Sequence, residues 1–231
     1  MSAPILVLDF DGTVCLGDDP VQFYAEEVAE RLGPDRGARL LGGISAFLQG
    51  TEMVAAAEDG YQATKALAGN DLSADELRAA YRASRTRLDA GEGQTWTPPG
   101  LGQFLDELRT EGVRVVLVTN APLLGVGTWL TTHQLIDRLD AVITDAGKPA
   151  RMTGVLSGIL TEHRADAQAL ASVGDVWRND IEPAISLGAS GMYIDRFGFG
   201  RPATHTAGSF EALYPAIRQW AGALLTQSSP N

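Results

Sequence analysis

A run of four β-prone apolar residues, Ile5-Leu6-Val7-Leu8, ends without transition in Asp9-Phe10-Asp11-Gly12-Thr13-Val14. Unbroken Val/Ile/Leu runs belong to strands buried on both faces, as in the middle of a parallel sheet, and such sheets bind ligands just beyond the carboxyl ends of their strands. Asp9 and Asp11 therefore stand where chemistry is usually done. Gly12 permits a sharp turn that lets the two acids converge. Like charges so close either share a cation or have a pKa raised by repulsion. Taken alone, the same residues read equally as a strand followed by an Asx-type turn.

The arrangement recurs along the chain. The run from Val113 to Val118 ends in Thr119-Asn120, Ala141-Val142-Ile143-Thr144 is followed by Lys148-Pro149, and Leu170-Ala171-Ser172-Val173 leads into Gly174-Asp175-Val176-Trp177-Arg178-Asn179-Asp180. Strands are predicted over 113–119, 140–144, 170–175 and 189–194, with helices over 101–111, 123–134, 151–161, 180–187 and 209–225. Alternation of this kind predicts a parallel sheet covered on both faces. Between Thr13 and Thr97 the pattern changes to helices alone. The first runs from Asp19 as N-cap, with Pro20 in its first turn, to Leu32, and the second covers Asp35 to Leu48. The third spans Glu52 to Ala68. The fourth starts at the capping box Ser73-Ala74-Asp75-Glu76 and continues to Ala90. Gly42, Gly43 and Gly60 weaken the second and third, and the tail from Thr226 to Asn231 is expected to fray.

Composition narrows the function classes. A formal charge of -11 argues against nucleic acid, whose backbone demands clustered Lys and Arg. No apolar stretch approaches the roughly 20 residues of a membrane span and no signal-peptide pattern opens the chain, so no membrane partner and a cytoplasmic location are expected. The single Cys15 cannot form an internal disulfide and reads as a small packing residue near the site. Only two lysines, Lys65 and Lys148, occur among 18 basic residues. A lysine at a strand end thus departs from the chain's usual cation, and its compact ammonium suits a phosphoryl group.

Asp-x-Asp-Gly-Thr, a strand ending in Thr, a lone Lys and Gly-Asp-x-x-x-Asn-Asp, in this order, resemble the four motifs of the haloacid dehalogenase superfamily, most of whose members are magnesium-dependent phosphatases. The resemblance covers the whole chain. It implies an α/β fold with a Rossmann-like parallel-sheet core over residues 1–14 and 98–231, and an inserted four-helix cap of the C1 type over 15–97. The crossings near 14–19 and 91–99 would let the cap act as a lid.

Residue roles follow from the same resemblance. Asp9 would be the nucleophile and a metal ligand, Asp11 the general acid and base and a ligand through its main-chain carbonyl, and Asp175 the third ligand. Thr119 and the Asn120 amide would hold phosphoryl oxygens, Lys148 would stabilise their charge, and Asp180 with Asn179 would orient Lys148 or metal-bound water from behind. Mg2+ is the implied cofactor, since the donor set is rich in oxygen. A small phosphorylated metabolite, such as a sugar phosphate, phosphoglycolate or a nucleotide monophosphate, is the implied substrate.

Relatives within the superfamily differ at identifiable positions. Dehalogenases lack the second aspartate, here Asp11. Phosphonoacetaldehyde hydrolases use a lysine of the first cap helix, whereas Lys65 falls in the third. A sugar phosphomutase and a catalytically silent phosphate-binding module stay as alternatives, although His133, His163 and His205 all lie outside the cap. Phe23, Tyr24, Phe47, Tyr61, Lys65, Tyr81 and Trp96 are selectivity candidates by type alone, the aromatics more often core than binding surface. The segment Arg196 to Thr206 would shape the mouth or form a surface loop.

Overall fold

Once Asp11-Gly12 has turned the chain away from its first strand, local signals favour helices. The computed structural model, which describes residues 3–228, has α1 at Asp19–Leu32, α2 at Pro34–Leu48, α3 at Gly60–Ala68 and α4 at Ala74–Asp89. The capping box forms in full: Glu76 N donates to Ser73 Oγ at 3.3 Å while the Ser73 amide donates to Glu76 Oε2 at 2.8 Å. Such a box is worth about 1 kcal/mol. Helices α5 (Leu101–Thr110), α6 (Leu123–Thr132), α7 (Met152–His163), α8 (Glu182–Ser186) and α9 (Tyr214–Ser228) follow among the strands. α9 accounts for the chain to Ser228; the rest of the tail expected to fray lies outside the described residues.

The apolar runs form β1 (Ile5–Leu8), β2 (Arg114–Val118), β3 (Ala141–Ile143), β4 (Leu170–Gly174) and β5 (Ser190–Ile194), and a further strand, β6 (His205–Ala207), joins them. All pair in parallel, in the order β3-β2-β1-β4-β5-β6. Leu8 is in register with Leu117 on one side and Val173 on the other, so Asp9, Thr119 and Asp175 leave the sheet at neighbouring levels. The chain adds β2 and β3 on one side of β1, then returns to add β4, β5 and β6 on the other. That reversal opens a crevice at the carboxyl end of β1. One face of the sheet presents Ile5, Val7, Val116, Val118 and Leu170 to Met152, Leu156 and Ile159 of α7 and Ala184 of α8. Elsewhere in the core Phe104 of α5 stacks on Tyr214 of α9, with centroids 3.9 Å apart.

The chain divides into two compact units. One holds the sheet: the described residues up to Leu16, Thr97–Leu123 and those from Leu130 onward. The other is Gly17–Trp96 together with Leu124–Trp129. In this second unit α1 packs on α2, α3 and α4. Phe23, Tyr24 and Phe47 lie in its buried interior, Lys65 is exposed and Trp96 is 53% exposed. The insertion after β1 is thus a helical cap of the C1 type.

Several local expectations are corrected. The third helix begins at Gly60 rather than Glu52, because the Asp59 side chain accepts from Gln62 N at 2.6 Å and caps it there. The N-cap of α1 is Asp18, since the Asp19 carboxylate is turned to the Gln94 amide at 2.6 Å. β6 carries no apolar run: two of its three residues are exposed, which is why only a loop was expected there. The helix expected over 180–187 begins instead as a π-helical turn, Trp177–Ile181, continued by α8.

Candidate active site

Four strand ends converge on a buried ion cluster. Lys148 Nζ donates to Asp9 Oδ1 and to Asp180 Oδ1, each at 2.6 Å, and to the Val118 carbonyl at 2.9 Å. Those three bonds use every donor of the ammonium. Only 2% of the Lys148 side chain is exposed. Its main chain is clasped as well: Asn120 Oδ1 accepts from Lys148 N at 2.7 Å, and Asn120 Nδ2 donates to Lys148 O at 3.0 Å. The Asn120 side chain is therefore occupied in holding the lysine loop. Thr119 is buried, with its amide on the Ile143 carbonyl at 2.9 Å and its Oγ1 accepting from Ala121 N at 3.0 Å.

The wide π-helical turn brings Asp180 inward. Glu182 N donates to Trp177 O, the five-residue step of such a turn, and the amides of Asn179 and Asp180 both donate to Val176 O at 3.0 Å. Gly174 makes room, because a Cβ there would stand 2.4 Å from the Asp180 Cβ. Gly12, at φ 78°, does the same for Asp175: its Cβ would lie 2.1 Å from Asp175 Oδ2. Asp11 is half-buried in the tight loop after β1, where the amides of Val14 and Cys15 both donate to Phe10 O at 2.9 and 2.8 Å. Cys15 itself is buried.

Carboxylate oxygens of Asp9, Asp175 and Asp180 lie within 4.8 Å of one another. Burial raises the Asp9 pKa, with Asp11 adding repulsion and Lys148 opposing both. Asp180 is likewise pushed well above the usual carboxylate range by burial, against the pull of Lys148 and with repulsion from Asp9. For Lys148 burial works against the charge, but Asp180 and Asp9 outweigh it and hold the ammonium protonated. Asp180 Oδ2 is buried with no hydrogen-bond partner. Three carboxylates against one ammonium leave a deficit that one divalent cation would fill, and an all-oxygen set suits Mg2+. The residues present fit such an ion.

Sequence reasoning gave Asp180 the task of orienting Lys148, and its Oδ1 accepts from Lys148 Nζ at 2.6 Å while its carboxylate also lies near those of Asp9 and Asp175. It did not name the Val118 carbonyl as an acceptor for Lys148 or Gly174 as the space for Asp180. Only Gly174 carried a signal, as a glycine ending an apolar strand. Asn179 stays on the same turn, half-buried. None of the three histidines joins a metal-ligating cluster among the described residues.

The family model for haloacid dehalogenase-like hydrolases matches residues 6–187, and the chain belongs to that family. Its fold is similar to that of a predicted phosphoglycolate phosphatase from Haemophilus somnus, at 15% identity and a TM-score of 0.66, covering 93% of this chain and 98% of that one. The magnesium-bound HAD-hydrolase YfnB from Bacillus subtilis, whose structure reveals interdomain movement, is 16% identical with a TM-score of 0.62, covering 94% and 99%. A 2-haloacid dehalogenase from Pseudomonas syringae pv. tomato is 19% identical with a TM-score of 0.56, again covering 94% and 99%. No curated protein sequence matches the chain. No helix among the described residues is long and apolar enough to cross a membrane.

Proposed function

We propose that this hydrolase is a magnesium-dependent phosphatase acting on a small phosphorylated metabolite through an aspartyl phosphate on Asp9. The observation that carries the reading is Lys148 joined at 2.6 Å to both Asp9 and Asp180 inside a cluster of three carboxylates. Asp9, Asp175 and the Asp11 carbonyl would hold Mg2+, with Asp180 close behind. When bound, the ion supplies charge that keeps Asp9 ionised and lets it meet a phosphate dianion.

In the first half-reaction an Asp9 oxygen attacks phosphorus, the bond from phosphorus to the ester oxygen breaks, and Asp11 protonates the departing oxygen. In the second, Asp11 takes a proton from water as its oxygen attacks the same phosphorus, releasing inorganic phosphate and restoring the Asp9 carboxylate. Thr119 and the Asn120 amide hold phosphoryl oxygens, while Lys148 offsets their charge. Asp11 favours phosphorus over carbon as the point of attack, because an alkoxide leaving group needs a proton and a halide does not. The helical cap would exclude water during the first step and set selectivity.

The test is phosphate release from a panel of small phosphomonoesters with and without Mg2+, beside halide release from 2-chloropropionate, in wild type and Asp9→Asn. The expected result is magnesium-dependent phosphate release, absent in the variant, with no halide. Halide release would move the chain to the dehalogenases. An isomerised sugar phosphate without phosphate release would make it a mutase.

A further inference from the structure

The second unit contains one segment that arrives from far along the chain, Leu124–Trp129. Its backbone shows why it needs a partner. Leu124 is extended (φ -58°, ψ 125°) and Gly125 has φ 81°, ψ -38°, so regular helix in α6 begins only after Gly125. A helix starting there has orphan amides, and Leu123, Leu124 and Gly125 have no side-chain oxygen to cap them. Asp89, the last residue of α4, supplies one from 36 residues away: its Oδ1 accepts from Gly125 N at 3.1 Å and from Thr128 Oγ1 at 2.7 Å. Asp89 thus anchors the residue that precedes the helix and a hydroxyl of its first turn, with its charge favoured at that end of a helix. A second tie follows one turn later, where Trp129 Nε1 donates to Thr95 Oγ1 at 2.8 Å. A Cβ on Gly125 would stand 3.1 Å from Arg85 O, a closeness that only glycine at this φ permits.

Upstream of this segment lie Thr119 and Asn120, and Asn120 is clasped to the Lys148 main chain. The stretch from Thr119 to Gly125 is therefore fixed at both ends, by Lys148 at one and Asp89 at the other. We infer that Asp89 is a positioning residue: it fixes the start of α6, the segment into which the phosphoryl-binding loop runs, so that the loop is held in register by a residue that touches no substrate. The role given to Thr119 and Asn120 rests on the phosphatase reading; the clasp itself rests on the hydrogen bonds.

The variants are Asp89→Ala, which removes charge and acceptor, and Asp89→Asn, which keeps an acceptor. Thr128→Val removes one donor and leaves the carboxylate, so it reports even where Asp89→Ala folds poorly. Amide hydrogen exchange is read over peptides covering 119–126, with β1 and α2 as controls, together with kcat and KM for p-nitrophenyl phosphate. In Asp89→Ala, exchange over 119–126 rises about fivefold or more while the controls hold. There kcat falls about tenfold with little change in KM or in the magnesium needed for half-activation. Asp89→Asn recovers most of both effects, and Thr128→Val shows smaller changes of the same sign. Unchanged exchange over 119–126, or faster exchange with undiminished kcat, overturns the inference.

If wild type releases no phosphate from any ester, the phosphatase reading fails separately, and orthovanadate with Mg2+ replaces the substrate. Protection of 119–121 by orthovanadate in wild type, lost in Asp89→Ala, upholds the positioning role. Equal protection in both, or none in wild type, rejects it.

Discussion

Lys148 in the sheet-bearing unit and Arg85 in the helical unit are both buried cations, as inaccessible as core leucines, yet their surroundings differ. Around Lys148 stand two carboxylates whose pKa values burial raises, and one carboxylate oxygen of Asp180 has no hydrogen-bond partner. Around Arg85 stand phenols: Tyr81 Oη accepts from Nε and Nη2 at 3.1 Å each, and the guanidinium lies 5.2 and 5.7 Å from the Tyr81 and Tyr61 ring centroids. Tyr24 completes the ring cluster, edge-on to Tyr81 with centroids 5.7 Å apart. The first arrangement is short of positive charge and asks for a ligand. The second spreads a cation over polarisable faces and builds a core. Burial of a charge therefore does not by itself mark function; the surplus of buried carboxylates beside Lys148 does.

Replacing each cation tests that contrast. Lys148→Met should lower phosphate release by about a thousandfold with an unchanged circular dichroism spectrum, because it removes a preorganised charge from the reacting group. Arg85→Ala should lower the free energy of unfolding by about 2 to 4 kcal/mol in a denaturant titration, through lost ring contacts and a cavity. Turnover per folded molecule should stay near wild type. Should Arg85→Ala instead abolish turnover without a change in denaturation midpoint, Arg85 belongs to substrate recognition and the contrast collapses.

Two smaller effects sharpen it. Gly12→Ala forces a Cβ against Asp175 at a φ that disfavours side chains, and should raise the magnesium concentration for half-activation about 10- to 100-fold. A half-activation value like wild type would remove Asp175 from the metal site. Tyr24→Phe deletes a buried hydroxyl that has no hydrogen-bond partner, so thermal melting should show no loss, and a gain of up to about 1 kcal/mol. A clear loss would mean that the hydroxyl has a partner in solution, and that the aromatic cluster is more polar than its geometry indicates.

The sheet and its strand ends were legible because their signals are local. Ile5 to Leu8, Val115 to Val118 and Leu170 to Val173 are apolar runs that form buried strands, and the residues that follow them make up the candidate site. Less visible was whatever depends on partners distant in sequence. Residues 52–59 read as helix until Asp59 is seen capping Gln62. Asp180 read as a partner of Lys148, but nothing in its spacing announces the π-helical turn that carries it. The assignment of Leu124–Trp129 to the helical unit depends on Asp89 and Thr95, which no periodicity around Gly125 reveals. Among the selectivity candidates, residue type identified the aromatics but could not separate buried Tyr24 and Phe47 from exposed Trp96.

The most direct measurement traps the intermediate. Wild type turning over a small phosphomonoester with Mg2+ is quenched in acid, reduced with borohydride and mapped by peptide mass spectrometry, since an acyl phosphate on aspartate is converted to homoserine. The account predicts homoserine at position 9 and at no other aspartate. Undiminished phosphate release with Asp9 unmodified, or with the label on Asp11, Asp175 or Asp180, would contradict it.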